Sequence, residues 1–170
     1  MFTGLSAFPL TPMNEHGIQE REFIHLVEHL AAAGVDSIGV LGSTGNYTYL
    51  SVAERARVAG ASGLLLAPVS YQKLTDDEVY DLYATVSRSL SVPLCVYDNP
   101  GTTHFDFSDE LHGRIAQLPQ VRSIKIPPVV NDIEKARERV VRLRALIPSE
   151  VTIGISGDPA AATGLNAGCD

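Results

Sequence analysis

Five short apolar runs, at residues 37–41, 63–67, 93–97, 121–126 and 151–155, recur along the chain with helix-start signals between them. Each is rich in valine, isoleucine and leucine and too short for a buried helix, so it reads as a strand that is apolar on both faces. A sixth strand is expected near residues 2–8. The segments between carry caps. A helical pattern runs from Glu20 to Ala33 and ends at Gly34. Ser51 with Glu54 and Thr75 with Glu78 match capping boxes, and Ser108 and Asn131 are expected N-caps. Strands of this kind, repeating about every 30 residues between helices, belong to right-handed βαβ units in a parallel sheet. The fold class is therefore α/β. Periodicity alone leaves an open doubly wound sheet and a closed barrel equally weighted, so the placement of polar residues has to separate them.

With 45% hydrophobic and 19% charged residues, the 170-residue chain suffices for one globular domain with a sizeable core and is too apolar for disorder. A formal charge of −7, with no basic cluster beyond a single helix, argues against a nucleic-acid partner or an anionic membrane surface. An anionic substrate would need a local site. The first ten residues lack a basic n-region, and no window reaches the roughly 18 apolar residues of a membrane span. A cytoplasmic location is expected. Cys95 and Cys169 have neither the number nor the spacing of a disulfide or zinc framework, so both are expected as free thiols.

The residues that do not suit a buried sheet fall at strand C-termini, where function gathers in α/β folds. Gly42, Ser43, Thr44, Gly45 and Asn46 follow the run at 37–41, and Pro68 to Tyr71 follow the next. Tyr97, Lys125 and the triplet Ser156, Gly157, Asp158 end the remaining three. Lys125 interrupts Val121-Arg122-Ser123-Ile124-Lys125-Ile126, and a lysine held there has its charged form disfavoured. The neutral amine is a nucleophile toward a ketone, which points to Schiff-base chemistry. The alternative is an alkyl stem that packs while the ammonium reaches the rim or pairs with an acid. Strand alternation groups Pro93, Cys95 and Tyr97 on one face and Val121, Ser123 and Lys125 on one face of the next strand. If both faces point inward, the Tyr97 phenol neighbours the amine and can carry the protons of carbinolamine formation and dehydration. Otherwise Tyr97 fills the sheet end and gives its hydroxyl to the backbone. The Gly42-Ser43-Thr44-Gly45 turn offers hydroxyls and amides to a carboxylate, or it is simply a tight turn. It matches neither phosphate-loop pattern.

Taken together, these segments resemble the dihydrodipicolinate synthase and N-acetylneuraminate lyase family of pyruvate-dependent (β/α)8 TIM barrels. The resemblance rests on Ala7-Phe8-Pro9 with Thr11-Pro12, on Gly42-Ser43-Thr44-Gly45, on Tyr97 followed by Asn99-Pro100-Gly101, on Ile124-Lys125, and on Ser156-Gly157-Asp158. It implies a class I, metal-independent lyase, an aldolase or dehydratase, without organic cofactor, whose small-molecule partner is a 2-oxo acid. Lys125 would form the Schiff base, Tyr97 would relay protons and Thr44 would join them in the catalytic set. Ser43 and Thr44 would hold the substrate carboxylate, with Gly157 and Asp158 at the substrate. Tyr71 would be the rim tyrosine that neighbouring subunits exchange in the homo-oligomers usual for the family.

The chain also departs from the family pattern. A barrel of this kind needs roughly 200 to 250 residues, and the chain reads as one partial domain over residues 1–170 with an internal deletion at the Gly60/Ala61 junction. The third strand and the eighth strand are the parts expected to be absent. Thr102 stands where the family's synthases carry an arginine for the second substrate's carboxylate, and Ile126 replaces an acidic residue often found after the lysine. These changes favour a 2-keto-3-deoxy sugar acid or a similar 2-oxo acid. The alternative function is a non-catalytic remnant or ligand-binding partial barrel that keeps the site residues without a closed scaffold.

Two competing signals are weaker. His25-Leu26-Val27-Glu28-His29 matches H-x-x-E-H, yet Phe23, Leu26, Val27 and Leu30 form the apolar stripe of that helix and leave both histidines on its solvent side. The arginines at 137, 139, 142 and 144 could suggest a basic patch, yet Glu134, Glu138 and Arg142 at helical spacing predict an ordinary salt-bridged face. Asp158 has a second reading as the cap of the following helix.

Overall fold

A computed structural model of the chain describes residues 3–40, 62–129 and 132–170. It divides into two compact units, Phe2–Ala61 and Ser62–Asp170. The Gly60/Ala61 junction, the Ser51 capping box and the turn carrying Ser43 and Thr44 lie outside the described residues.

In the first unit, strand β1 (Ser6–Ala7) pairs in parallel with β4 (Ser37–Ile38), in the register Ser6 to Ser37 and Ala7 to Ile38. Between them lie an antiparallel hairpin, β2 (Met13–Asn14) with β3 (Gly17–Ile18), and helix α1 (Glu20–Ala32). The hairpin was not expected, because two-residue strands are too short for alternation to show. Its turn is fixed by Asn14 Oδ1, which accepts from His16 N at 2.9 Å. Helix α1 ends a residue before the expected boundary, and Gly34 follows with φ +78°. His25 and His29 are exposed, and no group of three metal-ligating side chains occurs among the described residues.

The second unit holds a four-stranded parallel sheet in the order β5 (Leu64–Leu66), β6 (Leu94–Tyr97), β7 (Val121–Ile126), β8 (Thr152–Ile155). Helices α2 (Asp76–Ser89), α3 (Pro100–Thr103), α4 (Asp109–Ala116), α5 (Ile133–Leu146) and α6 (Ala161–Ala167) connect and follow the strands. The strand order is sequential with no reversal, the pattern of barrel staves rather than of a doubly wound sheet. The packing agrees. Leu94, Val96, Ile124, Ile126 and Ile153 share one core with Val79 and Tyr83 of α2, Leu111 and Ile115 of α4, and Val140 and Leu143 of α5. The helices therefore cover one face of the sheet, while the opposite face carries alternate residues of each strand.

The caps follow the sequence in two cases. Thr75 and Glu78 form a reciprocal box on α2, and Ser108 Oγ accepts from Leu111 N at 3.1 Å at the start of α4. In the third case Asp132, not Asn131, caps α5, accepting from Glu134 N at 3.1 Å and Lys135 N at 3.3 Å. An ionised side chain there also meets the positive end of the helix dipole. The expected salt-bridged face is altered as well. Arg137 pairs with Glu134 at 2.9 Å, but Arg142 reaches across to Asp109 at 3.2 Å, and Arg139 pairs with the same carboxylate. These ties join α4 to α5. No helix among the described residues is long and apolar enough to cross a membrane.

Candidate active site

Strand registry stacks the face opposite the helices in layers. Cys95, Ser123 and Thr152 are aligned across β6, β7 and β8, and one layer nearer the strand ends come Tyr97, Lys125 and Gly154. The alternation that places Leu94, Val96, Ile124 and Ile126 against the helices therefore turns Tyr97 and Lys125 to the other side, as neighbours.

Lys125 is only partly exposed, and its ammonium stands 5.1 Å from the centre of the Tyr97 ring. Burial holds its amine below the usual lysine range, against weaker upward pulls from Cys95 and Asp158. Burial acts on the charged form, so a larger share of the amine is neutral than on an exposed lysine. On its β8 side sits Gly154, where a side chain would meet nothing within 4 Å. Lys125 thus has a phenol on the neighbouring strand to one side and, on the other, a strand position without a side chain. Cys95, beneath this layer, is buried, and its thiol is pushed up to about 11 by burial, so it is no nucleophile near neutrality.

The Tyr97 hydroxyl accepts a hydrogen bond from Asn99 Nδ2 at 2.8 Å, and the same amide donates to Thr102 Oγ1 at 3.0 Å. In the sequence Asn99 stands out only as part of the Asn99-Pro100-Gly101 motif. Its role follows from α3, a short helix that the apolar pattern does not announce and that begins immediately after it.

Of the other expected site residues, Gly157 has φ +85° and precedes a 3-10 turn at Asp158–Ala160, and both Gly157 and Asp158 are exposed at the end of β8. Asp158 does not serve as a helix cap. Neither that turn nor α6 has a side-chain cap, and Asp158 instead acts electrostatically on Lys125. Tyr71 is fully exposed. Ser43 and Thr44 lie outside the described residues.

The dihydrodipicolinate synthetase family profile matches residues 1–62 and 52–169. The chain belongs to that family. It is 32% identical over 157 residues to the 4-hydroxy-tetrahydrodipicolinate synthase of Brucella abortus biovar 1 (strain 9-941), covering 92% of this chain and 51% of that protein. Against the corresponding enzyme of Methylococcus capsulatus it is 31% identical over 144 residues, covering 85% of this chain and 47% of the other. The chain spans about half the length of the curated relatives it matches. Among solved structures, dihydrodipicolinate synthase from Agrobacterium tumefaciens superposes with a TM-score of 0.93 at 38% identity, over 99% of this chain and 68% of that one. The enzyme from Thermotoga maritima shares the fold, with a TM-score of 0.87 at 23% identity over 100% of this chain and 69% of that one. The dihydrodipicolinate synthetase fold is a TIM barrel, and this chain is part of one.

Proposed function

We propose that the chain is a class I lyase, an aldolase or dehydratase, that forms a Schiff base between Lys125 and pyruvate or a 2-keto-3-deoxy sugar acid. The observation that carries this reading is an amine with its charge disfavoured by burial, one strand from a phenol and beside the open space at Gly154. The neutral amine attacks the ketone carbon as the C=O π pair moves to oxygen, and the nitrogen gives up a proton while the oxygen gains one, which yields a neutral carbinolamine. That hydroxyl leaves as water once a second proton reaches it, and the C=N bond forms. Tyr97 is the group placed to carry these protons. The resulting iminium draws electrons from the adjacent carbon, so a bond one carbon away can break or form.

Ser43 and Thr44 are proposed for the substrate carboxylate, with Thr44 also in the catalytic set, and Gly157 and Asp158 for the substrate's hydroxyl end. Thr102 offers a neutral hydroxyl where the family's synthases have an arginine, which favours a second substrate or leaving fragment without a carboxylate at that point. Tyr71, exposed at the strand-end side of β5, is proposed as the residue exchanged between subunits of a homo-oligomer. An internal deletion at Gly60/Ala61 within one partial domain is in keeping with a family profile that matches in two stretches.

Incubating the full chain with pyruvate and borohydride and weighing the intact protein tests the central step. An adduct in the wild type that is lost in Lys125→Ala is the expected result. A folded wild type that gains no mass would sink the proposal and favour the alternative of a non-catalytic partial barrel. That second reading draws on the junction at Gly60/Ala61, because catalysis needs groups held to about half an ångström and a deletion inside the barrel would disturb them.

A further inference from the structure

We infer that Asn99 is a positioning residue for Tyr97, holding the phenol oxygen by an N–H so that the phenolic hydrogen is left for chemistry at Lys125. The inference rests on the Schiff-base reading and adds a residue to it. Asn99 occupies the N-cap of α3, a place where asparagine ordinarily turns its side chain back to the helix amides. Here it makes no cap hydrogen bond. Its backbone is fixed by other means: the Asn99 carbonyl accepts from Thr102 N at 3.0 Å, Thr103 N at 2.9 Å and Thr103 Oγ1 at 3.0 Å. The side chain is thereby freed and aimed at Tyr97.

A primary amide nitrogen has two hydrogens and no acceptor capacity. Both hydrogens have partners, Tyr97 Oη at 2.8 Å and Thr102 Oγ1 at 3.0 Å. The phenol cannot donate to this nitrogen, so Asn99 leaves the phenolic hydrogen unused, and the Lys125 amine stands in the next strand, 5.1 Å from the ring centre. When the phenol passes its proton to the carbinolamine hydroxyl, water leaves and the oxygen that remains is negative. A hydrogen bond to the charged form stabilises it. Thr102 completes the arrangement by fixing the amide's rotation. Its short hydroxyl accepts the second N–H.

The test follows imine formation with pyruvate on the full chain by timed borohydride quench, in the wild type, Asn99→Ala, Asn99→Asp, Tyr97→Phe and the two double variants. Asparagine and aspartate have the same shape, but the carboxylate only accepts. It would capture the phenolic hydrogen and turn it from Lys125. The limiting rate in Asn99→Asp should therefore fall toward that of Tyr97→Phe, a loss of about 100-fold or more. Asn99→Ala should keep an intermediate rate, and the pyruvate concentration at half-saturation should not move in either. In the Tyr97→Phe background neither substitution should slow the reaction further. A carboxylate acting directly on Lys125 would still slow that background, as would a general loosening of the site, and either result overturns the inference. So does an Asn99→Asp variant faster than Asn99→Ala. If Asn99→Asp fails to fold, the cycle of Asn99→Ala with Tyr97→Phe decides alone. A wild type without adduct removes the Schiff-base reading and this inference with it, whereas a normal adduct rate in Asn99→Ala removes this inference only.

Discussion

Asp98 directly follows Tyr97, and the half-turn between consecutive residues of an extended segment sends its carboxyl to the helix side of the sheet. There it is 3% exposed, 3.5 Å from His112 of α4, which is fully buried and stacked on Phe107 at 4.8 Å. Burial pushes Asp98 up to about 7 from the ordinary 3.8, against Arg139, which pulls it down, and with Asp106, which adds to the rise. Burial likewise pushes His112 down to about 4 from 6.5. Between about pH 4 and 6.5 the folded pair thus holds one proton, on Asp98, and the unfolded pair also holds one, on His112. Equal proton numbers give no pH dependence from this pair in that window. Removing one member exposes the other's slope. In Asp98→Asn the depressed His112 remains, and its contribution is present above pH 6.5 and lost as pH falls toward 4. In His112→Phe the raised Asp98 remains, and its contribution is present below pH 3.8 and lost as pH rises toward 7. Unfolding free energies from urea titrations across this range should slope in opposite directions for the two variants, each by at most about 1.4 kcal/mol per pH unit. Parallel slopes would mean that the pair is not buried together. At this scale the sequence showed Lys125 and Tyr97, because a charge and a phenol interrupt apolar strands. It could not show Asp98 with His112 or Asn99 with Tyr97, because those depend on which way α3 and α4 turn after β6.

At the scale of elements, the strands and long helices were legible because burial on both faces and a capping box each leave a local pattern. The hairpin β2–β3 and helix α3 were not, being too short for a period to repeat. The N-cap of α5 fell one residue later than expected because Asp132 and Asn131 are both good caps, and only the backbone decides between them. Helix α6 shows what else local pattern misses. Gly164 looks like a weak point in a seven-residue helix, yet a Cβ there would lie 2.5 Å from Ile155 Cγ2 and 3.0 Å from Ile155 Cβ. The second of these atoms is attached to the backbone of β8 and has little freedom to retreat. The glycine is therefore the condition for α6 to approach the sheet. Gly164→Ala gains helix propensity but should lose about 1–3 kcal/mol of stability through overpacking. Chemical denaturation would measure it. Combining it with Ile155→Ala should be less harmful than the sum of the two, since the second change removes Cγ2, the nearest atom struck, and Cδ1, leaving only Cβ close to the new methyl. Additive losses would show that the contact does not set the helix position.

At the scale of the whole molecule, apolar burial among the described residues is unevenly shared between the two units. Of these residues, every large side chain with less than 2% exposure, from Val79 to Ile153, belongs to Ser62–Asp170, and helix α1 has no buried residue. Burial at roughly 25 cal/mol per Å² of apolar surface is the main favourable term in folding, so the two units should not open at the same free energy. The amides of β6 and β7 sit in the middle of a four-stranded ladder, backed by α2, α4 and α5. Those of α1 depend on a helix with neither a side-chain N-cap bond nor a buried face, and an isolated helix of 13 residues is marginal in water. Native-state hydrogen exchange read by mass spectrometry should find the α1 amides exchanging faster than those of β6 and β7, on the order of 100-fold or more. Equal protection would mean that α1 shares the cooperative unit of the sheet. Lys125, Tyr97, Asn99 and Gly154 all stand on Ser62–Asp170, the unit that holds the buried core. If imine formation with pyruvate needs only these groups, the borohydride-trapped yield should hold at urea concentrations that already expose the α1 amides and fall only where β6 and β7 lose protection.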